Sequence, residues 1–146
     1  MSLNRPTLAI HPLLRERWSP RTFSGESLSD ADLLPLFEAA RWAPSGNNEQ
    51  PWRFIVARHD QPDAFARIYN CLSENNRRWA GSAGALVIAV TARINSRGRE
   101  NNHARYDLGQ AVAHLSVQAT ADGLFVRQMG GFSATAAREA FSIPEA

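Results

Sequence analysis

The stretch "LLPLFEAARWAPSGNNEQPWRFIV", from Leu33 to Val56, contains a helix, a loop and a strand in succession. Its apolar residues recur at helical spacing up to the residues before Pro44, where a helix has to end. The apolar run "RFIVA", from Arg53 to Ala57, then predicts a short strand. The loop between them carries more amide side chains than a turn requires. This excess indicates a contact with a ligand or a partner.

The helix in this stretch has a recognisable start. Ser29 is followed three residues later by Asp32, which is the spacing of a capping box. Pro35 lies deeper than the first helical turn, so we expect either a local kink or a displaced helix start. A further helix is predicted from Pro62 to about Leu72, followed by a polar turn and a second helical turn.

The second half of the chain continues the alternation of strands and helices. "GALVIAVTA", from Gly84 to Ala92, is apolar on both faces and predicts a central strand covered on each side. The longest helix is predicted from Tyr106 to Asp122, with Gly123 just past its end. "LFVRQM", from Leu124 to Met129, predicts a short strand, and Ser133 to Phe141 a last helix. This order favours a layered α/β or α+β domain.

Length and composition indicate one soluble domain. The chain has 146 residues, of which 44% are hydrophobic and 21% charged. Its longest strictly apolar run, Ala85 to Val90, is far shorter than the roughly 20 residues of a membrane span. The N-terminal residues lack the pattern of a signal peptide, and the lone cysteine, Cys71, permits no internal disulfide. We therefore expect a cytoplasmic protein without membrane contact, in which Cys71 packs in the interior.

Several chemistries are excluded or disfavoured by residue type. All 16 basic residues are arginine, which excludes a Schiff-base lysine and a Walker-type phosphate lysine. The four histidines show no metal-ligand spacing, so no metal site is predicted. Serine, histidine and acidic residues show no arrangement of a catalytic triad, and no catalytic side chain is assigned. The glycines of "GSAGA" precede a strand instead of following one, which does not fit a dinucleotide-binding fingerprint.

Three stretches carry more chemistry than their predicted turns require. "RWSPRTF", from Arg17 to Phe23, combines two arginines and a hydroxyl that can hold a phosphate, or it is a solvated turn. The amides of the loop after Pro44 can bind the edge of a planar heterocycle, or cap the helix. "MGGF", from Met129 to Phe132, lets backbone amides approach a ligand closely, or forms a tight turn.

Taken together and in this order, the motifs resemble the nitroreductase family of FMN-dependent oxidoreductases over essentially the whole chain. The specific signature is the Arg-x-Ser-x-Arg-x-Phe cluster beginning at Arg17, together with the Ala-Pro-Ser…Asn-x-Gln-Pro-Trp loop beginning at Ala43. The resemblance implies an α+β fold with a small central β-sheet flanked by helices. It further implies a single domain over residues 1–146 that binds FMN at the interface of a homodimer.

The resemblance also assigns expected roles to individual residues. Arg17 and Ser19 would hold the FMN phosphate, and Arg21 would lie near the N1 and O2 edge of the flavin. Asn76 matches an asparagine that contacts the flavin ring, and Gly130-Gly131 match the backbone segment that faces N5. A cation near N1 would raise the reduction potential of the flavin.

The amide-rich loop receives a role in the same way. Pro44, Ser45 and Asn48 match the family loop that reaches the flavin of the other subunit, so the amides would be flavin contacts. The complete expected cofactor-binding set is Arg17, Trp18, Ser19, Arg21, Pro44, Ser45, Asn48, Gln50, Asn76, Gly130 and Gly131.

The implied activity is hydride transfer from NAD(P)H through FMN to a nitroaromatic, a quinone or a similar acceptor. Family members usually continue past the position of Ala146 with a further strand and an arm that often brings a basic residue to the phosphate. We therefore expect this domain to be short at its C-terminus, and an alternative is a flavin-binding protein with little or no turnover. A nucleic-acid-binding role for the four arginines of residues 93–105 is disfavoured, because that loop offers no aromatic side chain for stacking before Tyr106.

Overall fold

A computed structural model of the chain describes residues 8–145. The prediction that the N-terminal residues form no signal peptide therefore concerns residues that lie partly outside the described range. The elements are α1 (Pro12–Glu16), α2 (Asp30–Arg41), a 3-10 turn (Gly46–Asn48), β1 (Trp52–Arg58), α3 (Pro62–Tyr69), α4 (Glu74–Ala80), β2 (Ala85–Thr91), α5 (Ala104–Ala121) and α6 (Ala134–Phe141). In these described residues, no helix combines the length and the apolar character needed to cross a bilayer.

The two strands form a small antiparallel sheet with helices on both faces. Trp52 of β1 lies opposite Thr91 of β2, and Arg58 lies opposite Ala85. Alternate residues of β1 enter two different apolar clusters, because successive side chains of a strand point to opposite faces. Trp52 packs with α2 and α5, whereas Ala57 packs with α3 and α4. This arrangement confirms the predicted α+β fold with a small sheet between helices.

Two strand predictions are wrong. Within residues 8–145, β2 is paired along one edge only, with β1, and the Val87 residue is 38% exposed. It is therefore not a central strand covered on each side. Residues 124–129 form no strand and pair with no strand of the described chain. A local apolar pattern indicates a segment that can form a strand, whereas its pairing depends on partners that lie elsewhere in the fold.

The start of α2 follows the predicted capping box. The Ser29 backbone N–H donates to the Asp32 carboxylate at 2.8 Å, and the Asp32 N–H donates to the Ser29 hydroxyl at 3.3 Å. The Ser29 hydroxyl also donates to the Asp32 carboxylate at 2.7 Å, and this hydrogen bond, together with the one from the Ser29 N–H, favours the ionised carboxylate and lowers the pKa of Asp32. Because α2 begins at Asp30, its start is not displaced, and Pro35 lies inside the helix.

The long loop between β2 and α5 is mostly exposed, and it contains a defined turn. The Asn95 side-chain oxygen accepts from the backbone N–H groups of Arg97 at 3.0 Å and Arg99 at 2.9 Å. The Glu49 carboxylate accepts from the N–H and hydroxyl of Ser96, at 2.9 and 2.8 Å, which lowers the pKa of Glu49. The loop is therefore attached to the amide-rich loop before β1.

Candidate functional site

The "RWSPRTF" stretch follows α1 directly and presents its cations outward. Arg17 is the C-terminal cap of α1, and Arg17, Ser19 and Arg21 are exposed, whereas Pro20 between them is buried. In the described part of the chain, neither arginine forms an ion pair with a carboxylate. Two exposed guanidinium groups without acidic partners can bind a phosphate through charge-assisted hydrogen bonds.

Residues 123–132, which follow α5, hold this stretch in place. The Trp18 and Phe125 rings meet edge to face with their centroids 5.8 Å apart. The Arg127 guanidinium donates from Nη1 to the backbone oxygen of Pro20 at 3.1 Å and to that of Ser19 at 3.4 Å. The segment predicted as a strand therefore contacts the first motif through side chains.

The same segment ends in the "MGGF" stretch, which is fixed to α4. The Gly131 carbonyl accepts from the Asn76 side-chain Nδ2 at 2.8 Å and from the Ser73 backbone N–H at 2.9 Å. A Cβ atom at position 131 would lie 2.7 Å from the Ser73 hydroxyl and 2.9 Å from Asn76 Nδ2. A side chain at position 131 would therefore force the side chains of Ser73 and Asn76 to shift, which favours glycine there. Asn76 and Gly131 are brought together, as their expected roles on one flavin ring require.

The amide-rich loop lies near the opposite end of α5 from Trp18. The Gly46 backbone N–H donates to the Asp107 carboxylate at 3.1 Å, and Asp107, in the first turn of α5, is 3% exposed. Trp18 instead contacts Phe125, just beyond the end of α5, and an 18-residue helix is about 27 Å long. No hydrogen bond among residues 8–145 joins the loop to the other two stretches. Within one chain, the expected residues Pro44, Ser45, Asn48 and Gln50 are therefore not joined to the others.

Backbone conformation explains part of the amide excess. Asn47, Asn48 and Gln50 have φ angles of 52°, 56° and 46°, in the left-handed region. Asparagine enters this region more readily than other residues with a side chain, whereas glutamine does so with strain. The Ser45 hydroxyl accepts from the Gln50 N–H at 3.0 Å and helps to hold the loop. Strained backbone of this kind concentrates at functional sites, which agrees with a ligand contact by this loop.

A large apolar groove lies along β2 and residues 123–132. It has a volume of about 1140 Å³ and is lined by residues that include Val87, Ala89, Leu115, Phe125 and Met129. Backbone hydrogen bonds to residues 125–129 are absent from the described structure. The groove therefore has an apolar floor, and backbone without backbone hydrogen bonds lies along one side of it.

Sequence reasoning missed two residues that organise this region. Arg127 had a visible signal, since it is a lone cation inside the otherwise largely apolar run "LFVRQM". No signal in the sequence pointed to Asp107, because the favourable interaction with the helix dipole already explains an acidic residue in the first turn of a helix. Its contact with Gly46, 61 residues earlier in the chain, is a product of the tertiary structure.

We expect Asp107→Ala to destabilise the protein by about 1–3 kcal/mol, because it leaves the Gly46 N–H without its acceptor. Asp107→Asn keeps an acceptor oxygen and should recover part of this loss. The matched control is Asp63→Ala, which removes an exposed carboxylate from the first turn of α3. Urea denaturation measures all three, and equal midpoints for the two alanine variants would contradict the anchoring role of Asp107.

Comparison with known proteins agrees with the family resemblance of the motifs. A family model described as "Nitroreductase family" matches residues 14–78. A protein of Archaeoglobus fulgidus named "Putative NADH dehydrogenase/NAD(P)H nitroreductase" is 46% identical over 46 residues, which are 32% of this chain and 26% of that protein. A Streptomyces coelicolor protein of the same description is 34% identical over 87 residues, 60% of this chain and 41% of its own length. The match therefore spans less than half of either curated relative.

A solved structure extends the match to nearly the whole chain. The protein described as "the oxidoreductase containing FMN" superimposes with a TM-score of 0.90 at 33% sequence identity, covering 96% of this chain and 72% of that one. The fold and the matched family model define a protein of the nitroreductase class. The chain belongs to the nitroreductase family.

Proposed function

We propose that the protein is an FMN-dependent oxidoreductase that uses NAD(P)H to reduce a nitroaromatic, a quinone or a similar acceptor. The observation that carries the proposal is the joining of two separate motifs by residues 123–132, with Arg127 at one end and Gly131 at the other. The similar solved structure is an oxidoreductase containing FMN, and the curated relatives are named NAD(P)H nitroreductases. Both descriptions agree with this use of the site.

The residues present fit the proposed cofactor. Arg17 and Arg21 are exposed cations without acidic partners among the described residues, as a phosphate and an electron-rich ring edge require. A Cβ atom at position 131 would crowd the Ser73 hydroxyl and Asn76 Nδ2, so glycine keeps the backbone at this position accessible for the ring face. In this proposal Trp18 and Ser19 complete the phosphate end, and Gly130 completes the ring end.

The chain contributes binding, orientation and charge. FMN, when bound, supplies the hydride chemistry between the nicotinamide and the acceptor. Arg17 and Ser19 hold the phosphate, Arg21 places positive charge beside the ring edge, and Asn76 fixes the Gly131 carbonyl so that the backbone at position 131 keeps one orientation. No acid or base side chain has to be assigned for such a reaction.

The decisive experiment is an absorbance spectrum of freshly purified protein, followed by NADH and NADPH oxidation with a nitroaromatic and a quinone. We expect flavin bands and acceptor-dependent oxidation of the nicotinamide. Flavin bands without turnover would favour the second candidate, a flavin-binding protein with little activity, which the open groove beside β2 makes a specific alternative. Failure to bind FMN at micromolar protein would contradict both.

We further propose a cytoplasmic homodimer that pairs through α5, with Pro44, Ser45, Asn48 and Gln50 of one copy reaching the FMN of the other. Tyr106, Gly109 and Ala113 form an exposed face of α5, with Tyr106 70% exposed and open space around the Gly109 Cα. Gly109 and Ala113 are small enough for a second helix to approach closely beside Tyr106. Most homo-oligomers of this kind are two-fold.

The dimer is tested by light scattering. We expect the mass of two chains for the wild type and of one chain for Ala113→Arg, because a long charged side chain blocks the close approach on α5. The control Ala66→Arg places the same side chain on an exposed position of α3 and should remain dimeric. A wild-type monomer at micromolar concentration with flavin bound would contradict the proposal.

A further inference from the structure

Arg127 occupies an unusual position between the two parts of the proposed cofactor site. It lies four residues before Gly131, and its Nη1 donates to the Pro20 oxygen at 3.1 Å and the Ser19 oxygen at 3.4 Å. The side chain is half-buried, and within residues 8–145 it forms no ion pair with a carboxylate. Its hydrogen bonding is therefore directed at the backbone of the "RWSPRTF" stretch.

Trp79 fixes the direction of this guanidinium from the other side. The Arg127 guanidinium carbon lies 4.7 Å from the centroid of the Trp79 ring, within the range of a cation–π contact. Trp79 also lies against Phe23, with ring centroids 6.1 Å apart. Because Trp79 belongs to α4, which carries Asn76 as well, Arg127 connects the stretch from Arg17 to Phe23 with the helix that holds Gly131.

The geometry has a direct consequence for the phosphate end. Arg127 draws the carbonyl groups of Ser19 and Pro20 toward the protein, and Pro20 is buried. The side chains of Arg17, Ser19 and Arg21 remain exposed on the outer side of the same turn. A short peptide held by two consecutive carbonyls loses much of its freedom to rotate, so its donors keep one orientation before a ligand binds.

We infer that Arg127 is a positioning residue that pre-organises the phosphate-binding turn formed by Arg17, Ser19 and Arg21. This inference rests on the proposed FMN function. It assigns Arg127 a structural contact and no contact with the cofactor: Nη1 donates to the Ser19 and Pro20 carbonyls, and the guanidinium lies over the Trp79 ring. The effect on affinity is expected to depend on the phosphate group of the ligand.

The test compares FMN with riboflavin, which has the same ring but no phosphate. Dissociation constants are measured by flavin fluorescence for the wild type, Arg127→Met and the control Arg138→Met, an exposed arginine on α6. We expect Arg127→Met to weaken FMN binding about tenfold, with less than about twofold change for riboflavin, because charge-assisted contacts to the phosphate lose their fixed donors. Arg138→Met should leave both constants unchanged.

A second readout separates positioning from other roles. Amide hydrogen exchange of residues 17–23 is measured without flavin, and we expect faster exchange in Arg127→Met than in the wild type and the control. Loss of FMN preference with unchanged exchange would show that Arg127 acts as a charge alone, and equal losses for both flavins would show a general structural role. Either result, or an unchanged FMN preference, overturns the inference.

Two further outcomes are distinguishable. A wild-type protein without preference for FMN over riboflavin contradicts the phosphate assignment in the proposed function, whatever the variants do. If Arg127→Met does not fold, Arg127→Lys takes its place, because a lysine keeps a charged donor. In Arg127→Lys, the inference requires the preference for FMN over riboflavin and the amide exchange of residues 17–23 to change together, or to remain together at their wild-type values. A change in only one of the two overturns the inference.

Discussion

Arg17→Ala is expected to lower the affinity for FMN at least about tenfold, while Arg97→Ala leaves it unchanged. The first variant removes an exposed cation without an acidic partner in the described chain, at the turn proposed to hold the phosphate. A charge-assisted hydrogen bond is worth about 1.5–3 kcal/mol, and each 1.4 kcal/mol corresponds to about a factor of ten in affinity. Flavin fluorescence titration measures the difference.

Arg97 is a suitable control for this experiment. It is exposed like Arg17, it carries the same charge, and it lies in the loop after β2 and not in the "RWSPRTF" stretch. Its removal changes the net charge of the protein by the same amount, so a general electrostatic effect on an anionic ligand would appear in both variants. Equal affinities of the two variants for FMN would exclude Arg17 from the phosphate site.

The second large effect concerns the apolar groove beside β2. We expect that a C-terminal extension carrying one apolar β-strand and a basic residue raises both the melting temperature and the affinity for FMN. In the described part of the chain, β2 has β1 on one edge and residues 125–129 offer backbone groups without backbone partners. An extended strand between them would pair with both sides and cover Val87 and Ala89.

The expected rise in melting temperature follows from the apolar burial and the strand pairing that the extension adds. Each large apolar side chain buried by the added strand contributes about 1.5–3 kcal/mol, against about 1–2 kcal/mol for each residue of backbone that becomes ordered. A net gain of 1 kcal/mol raises the melting temperature of a domain of this size by about 2–8 °C. We therefore expect a rise of about 5 °C or more for a well-matched strand.

The extension can be taken from the FMN-containing structure that superimposes on this chain, 72% of which is covered by the match. The control has the same extension with prolines at alternate strand positions, since proline cannot donate to a sheet. Thermal unfolding and FMN titration are compared for the unextended chain and both extended forms. If all three have the same melting temperature and affinity, an extended strand is not what the groove accommodates.

Local sequence patterns predicted the helices α2 to α6, but not α1, and marked the site motifs of this protein. The capping box at Ser29 and the glycine after α5 depend on neighbours a few residues away, and both were predictable for that reason. The one-sided pairing of β2 and the absence of a strand at residues 124–129 of the described chain were not predictable, because a strand is defined by partners distant in the sequence.

The candidate site, too, was predictable from the sequence in part and was decided by the tertiary structure in part. Residue type and spacing in "RWSPRTF" and "MGGF" indicated groups suited to a phosphate and a flat ring, since guanidinium donors and glycine backbone act through their own chemistry. Tertiary structure alone decided that Arg127 holds the first stretch, that Asn76 holds Gly131, and that Asp107 holds the amide-rich loop near the opposite end of α5. These contacts join residues 55 to 108 positions apart, distances over which no local pattern in the sequence reports a partner.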